Sequence, residues 1–410
     1  MTFTDRRIEP RPANGEAPFA LDEIFFSRTD DRGVIKTGND IFRRVSGFDW
    51  DSLLGAPHKI IRHPDMPRGV FQLFWDTIQN GEFIGAYVKN KAKDGLYYWV
   101  FAVVVPCEDG YLSVRIKPSS SLFATVKQGY CDLLKAEQDD GLSPEESRDN
   151  LLAWLAGMGF DSYREFAAHA LSEELESRDA GLGSAPDMTI RGLRQKLKNS
   201  EVLVTETKGL IDDFSAMRTI PHNLRVIASR IEPAGGPVTV LSQNYGSMSR
   251  EMSTWFSTHV MGEDSNFAKI KDLVNQGLFV EGMARILTEC DGQLQRERRS
   301  LGGIDLSAEQ DILSQLTQAQ VASARMELKE VDREAERITR ACETMRRQFL
   351  GLSSTRVLCK IESARLPRDG ATLSDIIDQL GSFQERISRR LDKITHLCAE
   401  IRELKQDIAA

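Results

Sequence analysis

The sequence predicts an α+β domain followed by all-α, antiparallel coiled-coil hairpins. Three observations predict it. Five short runs within the first 120 residues have strand character and are separated by Gly and Asp turn signals. From Leu122 onward, helix-capping patterns and apolar residues at three-and-four spacing take over. Those apolar seams are interrupted twice by stretches rich in Pro and Gly, 232–237 and 366–370, and each break turns a helix back into a hairpin.

Taken in order, residues 1–20 contain Pro10, Pro12 and Pro18 and read as a mobile N-terminal arm. Ile24 to Thr29 is a first strand, Asp30-Asp31-Arg32-Gly33 a turn, and Val34 to Lys36 the returning strand. Asn39 to Val45 and Trp50 to Leu54 are short helices. The stretch Arg62-His63-Pro64-Asp65-Met66-Pro67 holds three polar side chains on a turn stiffened by two prolines. Arg68 to Gln79 is a helix laid across the sheet. Phe83 to Asn90 and Tyr97 to Pro106 form a hairpin about Lys93-Asp94-Gly95, and Tyr111 to Lys117 is the last strand. Residues 21–120 thus form a five-stranded antiparallel sheet with helices on one face.

Residues 121–187 read as a helical connector. Ser143-Pro144-Glu145-Glu146 and Ser162-Tyr163-Arg164-Glu165 are capping boxes, and Arg178 to Asp187 is a Gly/Pro linker. A first hairpin spans 188–300, with a seam through Leu203, Leu210, Phe214, Met217, Leu224 and Ile227 that resumes at Val238, Leu241, Tyr245 and Met248. A second spans 301–410, with seams through Val331, Ile338, Cys342, Met345 and Phe349, then Leu373, Ile376, Leu380, Phe383, Ile387 and Ile394. Ser229-Arg230-Ile231-Glu232 against Cys359-Lys360-Ile361-Glu362, and Gly246-Ser247 against Gly381-Ser382, mark a diverged repeat.

Composition narrows the function classes. The 410-residue chain is long enough for two or three units. A formal net charge of −8 argues against a nucleic-acid binder. Six cysteines stand singly, with no C-x-x-C pair, as in a protein of the reducing cytoplasm. The N-terminus is polar and charged, and the longest apolar run, Trp99 to Pro106, is too short to span a membrane. The expectation is a cytoplasmic, soluble chain. No Ser–His–Asp set, phosphate-cradling loop or kinase motif is present in the sequence, so an enzyme is not expected.

A resemblance rests on Gly38-Asn39-Asp40-Ile41-Phe42, Val45-Ser46-Gly47-Phe48, Pro57-His58, Arg62-His63-Pro64-Asp65-Met66-Pro67, Gly81-Glu82, Val88-Lys89-Asn90 and Asp94-Gly95-Leu96-Tyr97-Tyr98-Trp99-Val100. In order and spacing these resemble the PAS sensor domain of bacterial aerotaxis receptors over residues 21–118. The resemblance implies a bound flavin, FAD, whose redox state reports oxygen or electron-transport status. It also implies that Asn39, Arg62, His63 and Asp65 belong to the flavin pocket. Ile84 stands where such receptors usually carry Trp. The first hairpin resembles a degenerate chemoreceptor signalling tip at Asn223-Leu224, Ala228 and Ile231-Glu232-Pro233-Ala234, which implies a kinase or adaptor contact at Asn223 and Glu232.

Each candidate has a plainer reading. Arg62, His63 and Asp65, taken alone, fit a solvated turn with a local ion pair; the resemblance moves them to the pocket. Trp75 shares an apolar helix face with Phe71 and Phe74, where core packing competes with stacking on a flavin. Trp99 alternates with its neighbours on a strand, and one face points inward. His58 and His63 are the imidazoles available to haem iron, but the helix Arg68 to Gln79, the usual source of that ligand, has none, so FAD ranks above haem. Two functions remain open, with a haem-based gas sensor as a further alternative. One is a flavin-based redox sensor relaying to a helical output in a chemotaxis-type pathway. The other is a cofactor-free scaffold that docks a kinase or a receptor array. A homodimer is expected in either case, because single-seam helices need partners.

Overall fold

The computed structural model describes residues 10–217, 219–231, 236–259, 266–297, 305–364 and 370–403. The chain opens with β1 (Phe25–Thr29) and β2 (Ile35–Gly38). Their turn is closed by Asp30, whose Oδ1 accepts from the backbone N–H of Arg32 and Val34 at 3.0 and 2.8 Å. Helix α1 (Asp40–Ser46) starts on Asn39 as N-cap and stops at Gly47, which takes φ 72°. Helix α2 (Trp50–Leu53), a single tight helical turn over His58–Ile61, and α3 (Arg68–Gln79) follow. Strands β3 (Ile84–Lys91), β4 (Tyr97–Cys107) and β5 (Gly110–Ile116) complete an all-antiparallel sheet of order β2-β1-β5-β4-β3.

The expectation of helices on one face is corrected: both faces of the sheet are covered. Alternate residues of β4 serve the two layers. Tyr98, Val100 and Ala102 join Phe25, Phe42 and Val45 in the core beneath α1. Trp99 and Phe101 point the other way, into an aromatic layer with Tyr87, Phe123 and Phe166. That outer layer comes from α4 (Ser121–Asp139) and α6 (Tyr163–Leu182). Between them, α5 (Pro144–Gly157) begins with the expected capping box, Ser143 and Glu146 each satisfying the other's backbone N–H. At α6 the Ser162 cap forms, but Glu165 reaches back to the N–H of Asp161 rather than Ser162. Helix α3 is clamped to α5 where Gly69 lets two backbones meet; a Cβ there would collide with Ser147 and Arg148.

Two further expectations are revised. Of the predicted N-terminal arm, residues 1–9 lie outside the described residues. The rest is docked: Ala17 is buried, its N–H bonds Tyr97 O at 2.7 Å, and Arg11 pairs with Asp94 at 2.6 Å. The predicted linker 178–187 is helical through Leu182, because Arg178 and Asp179 are buried ion-pair members and Gly181 lies where a Cβ would strike Leu21.

Among the described residues six more helices follow: α7 (Met188–Met217), α8 (Ile220–Ile231), α9 (Pro237–His259), α10 (Asn266–Glu297), α11 (Leu306–Ser363) and α12 (Gly370–Glu403). Contacts divide the chain differently from the predicted hairpin boundaries. One unit is residues 1–191 with 275–325; the other is 192–274 with 326–410. In the first, the later part of α10 lies on the sheet's outer layer, where Phe279 stacks on Phe83 at 5.0 Å. In the second, both hairpins pack together in one chain. Phe214 of α7 meets Phe349 of α11, and Asp213 pairs with Arg386 and Arg390 of α12. On α12 the buried seam is Leu373, Ile377, Leu380, Ile387, Leu391 and Ile394, while Ile376 and Phe383 are half-buried. A four-three step from Leu373 selects Ile377 over Ile376. The buried seam positions thus find partners within the same chain.

Candidate ligand site

The inner face of the sheet and α3 enclose a cavity of about 120 Å³. Its aromatic side is Phe71, Phe74 and Trp75 of α3 with Tyr111 of β5. The opposite wall carries Ser27 and Thr29 of β1, Ser113 and Arg115 of β5, Asn90 of β3, and His58. Strand pairing explains how these converge: Ser27 lies opposite Ser113 and Thr29 opposite Tyr111, so inward positions of β1 and β5 form one polar strip.

Arg115 is the centre of that strip. It is 4% exposed. Its Nη2 donates to Ser27 Oγ at 2.9 Å and to His58 Nε2 at 2.8 Å, and its guanidinium lies 5.6 Å from the centre of the Phe42 ring. Burial brings its pKa down to about 10, so it keeps its charge at neutral pH. Burial, with the Arg115 charge second, pushes His58 down to about 3; the imidazole is neutral and accepts through Nε2. Arg115 Nη1 and Ser113 Oγ are buried without a partner. Lys59 and Arg62 add positive charge to the lining, and no carboxylate lines the cavity among the described residues. A buried guanidinium with no anion facing it is costly to fold around unless an acceptor joins it. The arrangement suits a planar ligand with carbonyl or anionic acceptors: aromatic side chains for its face, convergent donors for its edge.

The sequence candidates separate in space. Arg62 and Trp75 line the cavity. The Arg62 guanidinium lies 3.8 Å over the Phe71 ring, and burial lowers its pKa. Asn39 does not line it. Fully buried, it caps α1, accepting from the N–H of Phe26 and Phe42 and donating to Ile24 O at 2.7 Å. His63 and Asp65 lie outside as well. His63 Nδ1 accepts from the Asp65 N–H, and the exposed Asp65 carboxylate pairs with Lys89 at 2.7 Å, which lowers its pKa. Trp99 faces the other side of the sheet, 5.3 Å from Phe123. Asn223 is exposed on α8, and Glu232 lies outside the described residues. Sequence reasoning missed Arg115, Ser27, Ser113 and Asn90.

Two carboxylates from distant helices meet the sheet next to this strip. Glu309 of α11 takes Arg28 of β1 at 2.7 Å, both side chains largely buried. Glu297, at the end of α10, accepts from the Asp40 N–H at 2.6 Å and from Asn39 Nδ2 at 3.3 Å. Burial raises the Glu297 pKa to about 7.

Residues 35–113 match the PAS fold family. The chain is 37% identical over 126 residues to the aerotaxis receptor of Escherichia coli, covering 30% of this chain and 25% of the receptor. It is 24% identical over 177 residues to the bacterioopsin transcriptional activator of Halobacterium salinarum, covering 43% of this chain and 24% of that protein. The chain thus spans about a quarter of the length of these curated relatives. Solved structures similar to it include a light-oxygen-voltage domain studied with a flavin analogue, at TM-score 0.23 and 19% identity over 26% of this chain and 84% of that one. Another is the Aureochrome1 LOV photoreceptor in its light state, at TM-score 0.22 and 22% identity over 29% and 93%. The N-terminal region is a PAS domain, and a long helical region follows it. Among the described residues, no helix is long and apolar enough to cross a membrane.

Proposed function

We propose that this PAS domain holds a flavin, FAD, in the cavity about Arg115, and transduces redox or oxygen status to its helical region without catalysis. The observation that carries the reading is the polar strip of Arg115 Nη1 and Ser113 Oγ, buried and unpaired opposite an aromatic wall, in the sheet of the PAS domain of a chain similar to an aerotaxis receptor. A flavin supplies a planar ring with acceptor edges and reversible reduction that places negative charge on that ring. The donor set fits such a group. Arg115, Ser113 and Asn90 would hold its edge, and Trp75 would cover its face. Arg115 keeps a positive charge where that negative charge develops, so its hydrogen bonds to Ser27 and His58 are the ones a redox change would pull on.

From there β1 is the route outward. Ser27 faces Arg115, while the next residue, Arg28, is held by Glu309 of α11. Asn39 fixes β1 through the Phe26 N–H, and Glu297 of α10 holds Asn39. A shift of β1 changes both contacts, which gives the two redox states the differential interaction that a switch requires. A homodimer, and a chemotaxis-type kinase, adaptor or receptor array in the cytoplasm, are the partners we propose for this output. The exposed Asn223 is the described residue at that surface.

One observation favours the cofactor-free scaffold. The cavity is about 120 Å³, below the roughly 300–1,000 Å³ of ordinary ligand pockets, and Arg62 lies on Phe71 inside it. A flavin therefore needs Arg62 to leave Phe71. Haem is the weaker reading, because His58 Nε2 is already engaged by Arg115. An absorption spectrum of the purified full chain, with the chromophore released and identified, decides among them. Flavin bands that vanish in Arg115→Leu, which removes the central donor of the strip, support the sensor. A Soret band supports haem. A colourless protein that neither cofactor reconstitutes leaves the scaffold.

A further inference from the structure

The second unit carries a cleft of about 260 Å³ between α8 and α9, distinct from the cavity of the sheet. It is lined by His222 and Arg225 of α8 and by Gln243, Gly246, Ser249 and Arg250 of α9. The helices are tied beside it where Ser242 Oγ donates to Pro221 O at 2.7 Å. The chain has 61 acidic against 53 basic residues, yet no carboxylate lines this cleft among the described residues. The nearest acid in sequence, Glu251, is turned to Ser247 and Gln348 instead, each at 3.3 Å. Elsewhere in the same unit arginines sit against carboxylates, as Arg390 does with Glu206 and Asp213. Gly246 borders the open part of the cleft: a Cβ there would meet only Arg250 and Pro221, at 3.6 and 3.8 Å.

We propose that this cleft binds a phosphoryl group. Two guanidinium forks, an imidazole and a Gln amide offer more donors than the two oxygens of a carboxylate can accept. A phosphoryl group brings three acceptor oxygens and a charge near −2, which two arginines balance. The group is either free or carried on a modified side chain, and the same test separates the two. The full chain is titrated calorimetrically with inorganic phosphate, a short phosphoserine peptide and octaglutamate, at about 0.15 M salt, where diffuse attraction is screened. Saturable phosphate or phosphopeptide binding is expected, whichever is tighter naming the source. It should weaken at least about tenfold in the double variant Arg225→Ala/Arg250→Ala. It should weaken similarly in Gly246→Leu, which fills the cleft without changing charge. Binding should stay unchanged in Arg333→Ala/Arg340→Ala, which removes exposed arginines from α11. Circular dichroism checks that each variant keeps its helices. The proposal is overturned by no saturable binding of either phosphoryl probe, by equal loss in the α11 variant, or by octaglutamate binding more tightly than both.

Discussion

The two faces of the sheet are made by alternate residues of the same strands, and they treat buried polar groups in opposite ways. On the outer face Glu174 of α6, fully buried, receives the Tyr87 hydroxyl at 2.8 Å, the N–H of Ser119 and Ser120 at 2.6 and 3.0 Å, and the Ser120 hydroxyl at 2.6 Å. Its four bonds join β3 to the start of α4. On the inner face Arg115 is buried almost as deeply, but its partners are neutral and one of its nitrogens has none. A charge whose bonds are all made within the chain is a structural fastening. A charge left with spare donors beside an aromatic wall is what a ligand would complete.

That contrast yields its largest effect on the outer face. Glu174→Ala leaves the Tyr87 hydroxyl, a serine hydroxyl and two backbone N–H groups without their acceptor. We expect a loss of about 3 kcal/mol or more, read as a lower denaturation midpoint with an unchanged slope. If the variant is as stable as the parent, the outer face is not the fastening described here.

Glu297 comes next, since it joins the two classes: a buried carboxyl from a distant helix placed against the cap of α1. Its pKa is raised to about 7 from an ordinary 4.5, so the folded chain binds more protons than the unfolded one between those values. Stability therefore falls as pH rises from about 4.5 to 7, by up to roughly 3 kcal/mol from this group, and the contribution is fully present only below the lower value. Glu297→Gln should flatten that part of the stability–pH curve. Denaturation at several pH values checks it, and an unaltered curve would remove Glu297 from the coupling of α10 to the sheet.

How much of this was legible follows the same divide between local and distant causes. Strands, turns and caps were readable because Asp30, Gly47, Ser143 and Glu146 act within a few residues of themselves. Arg62 and Trp75 were readable because they belong to one contiguous motif and the helix after it. Arg115 was not. In β5 the alternation of Tyr111, Ser113 and Arg115 with Leu112, Val114 and Ile116 reads as a strand with one face in water. Only the packing of α3, more than thirty residues earlier in sequence, turns that face into a cavity wall. Asn39 carried the opposite error: a polar residue immediately before a helix is an N-cap first, and here the cap uses its side chain completely. The helical run through Gly181 was hidden too, because Arg178 and Asp179 find Glu289 and Arg285 across more than a hundred residues.

The smallest expected effect on stability tests the inner face most sharply. Arg115→Leu removes a buried charge and supplies apolar volume to the same wall. It releases Ser27 Oγ and His58 Nε2 from one hydrogen bond each, which costs, and it ends the desolvation of an unpaired guanidinium, which gains. These nearly cancel, so stability without ligand should change by no more than about 1 kcal/mol in either direction. Flavin retention, measured by absorbance on the same preparation, should nonetheless be lost. A large fall in stability would make Arg115 a fastening like Glu174. Unchanged stability with flavin retained would leave the cavity's spare donors without a ligand role.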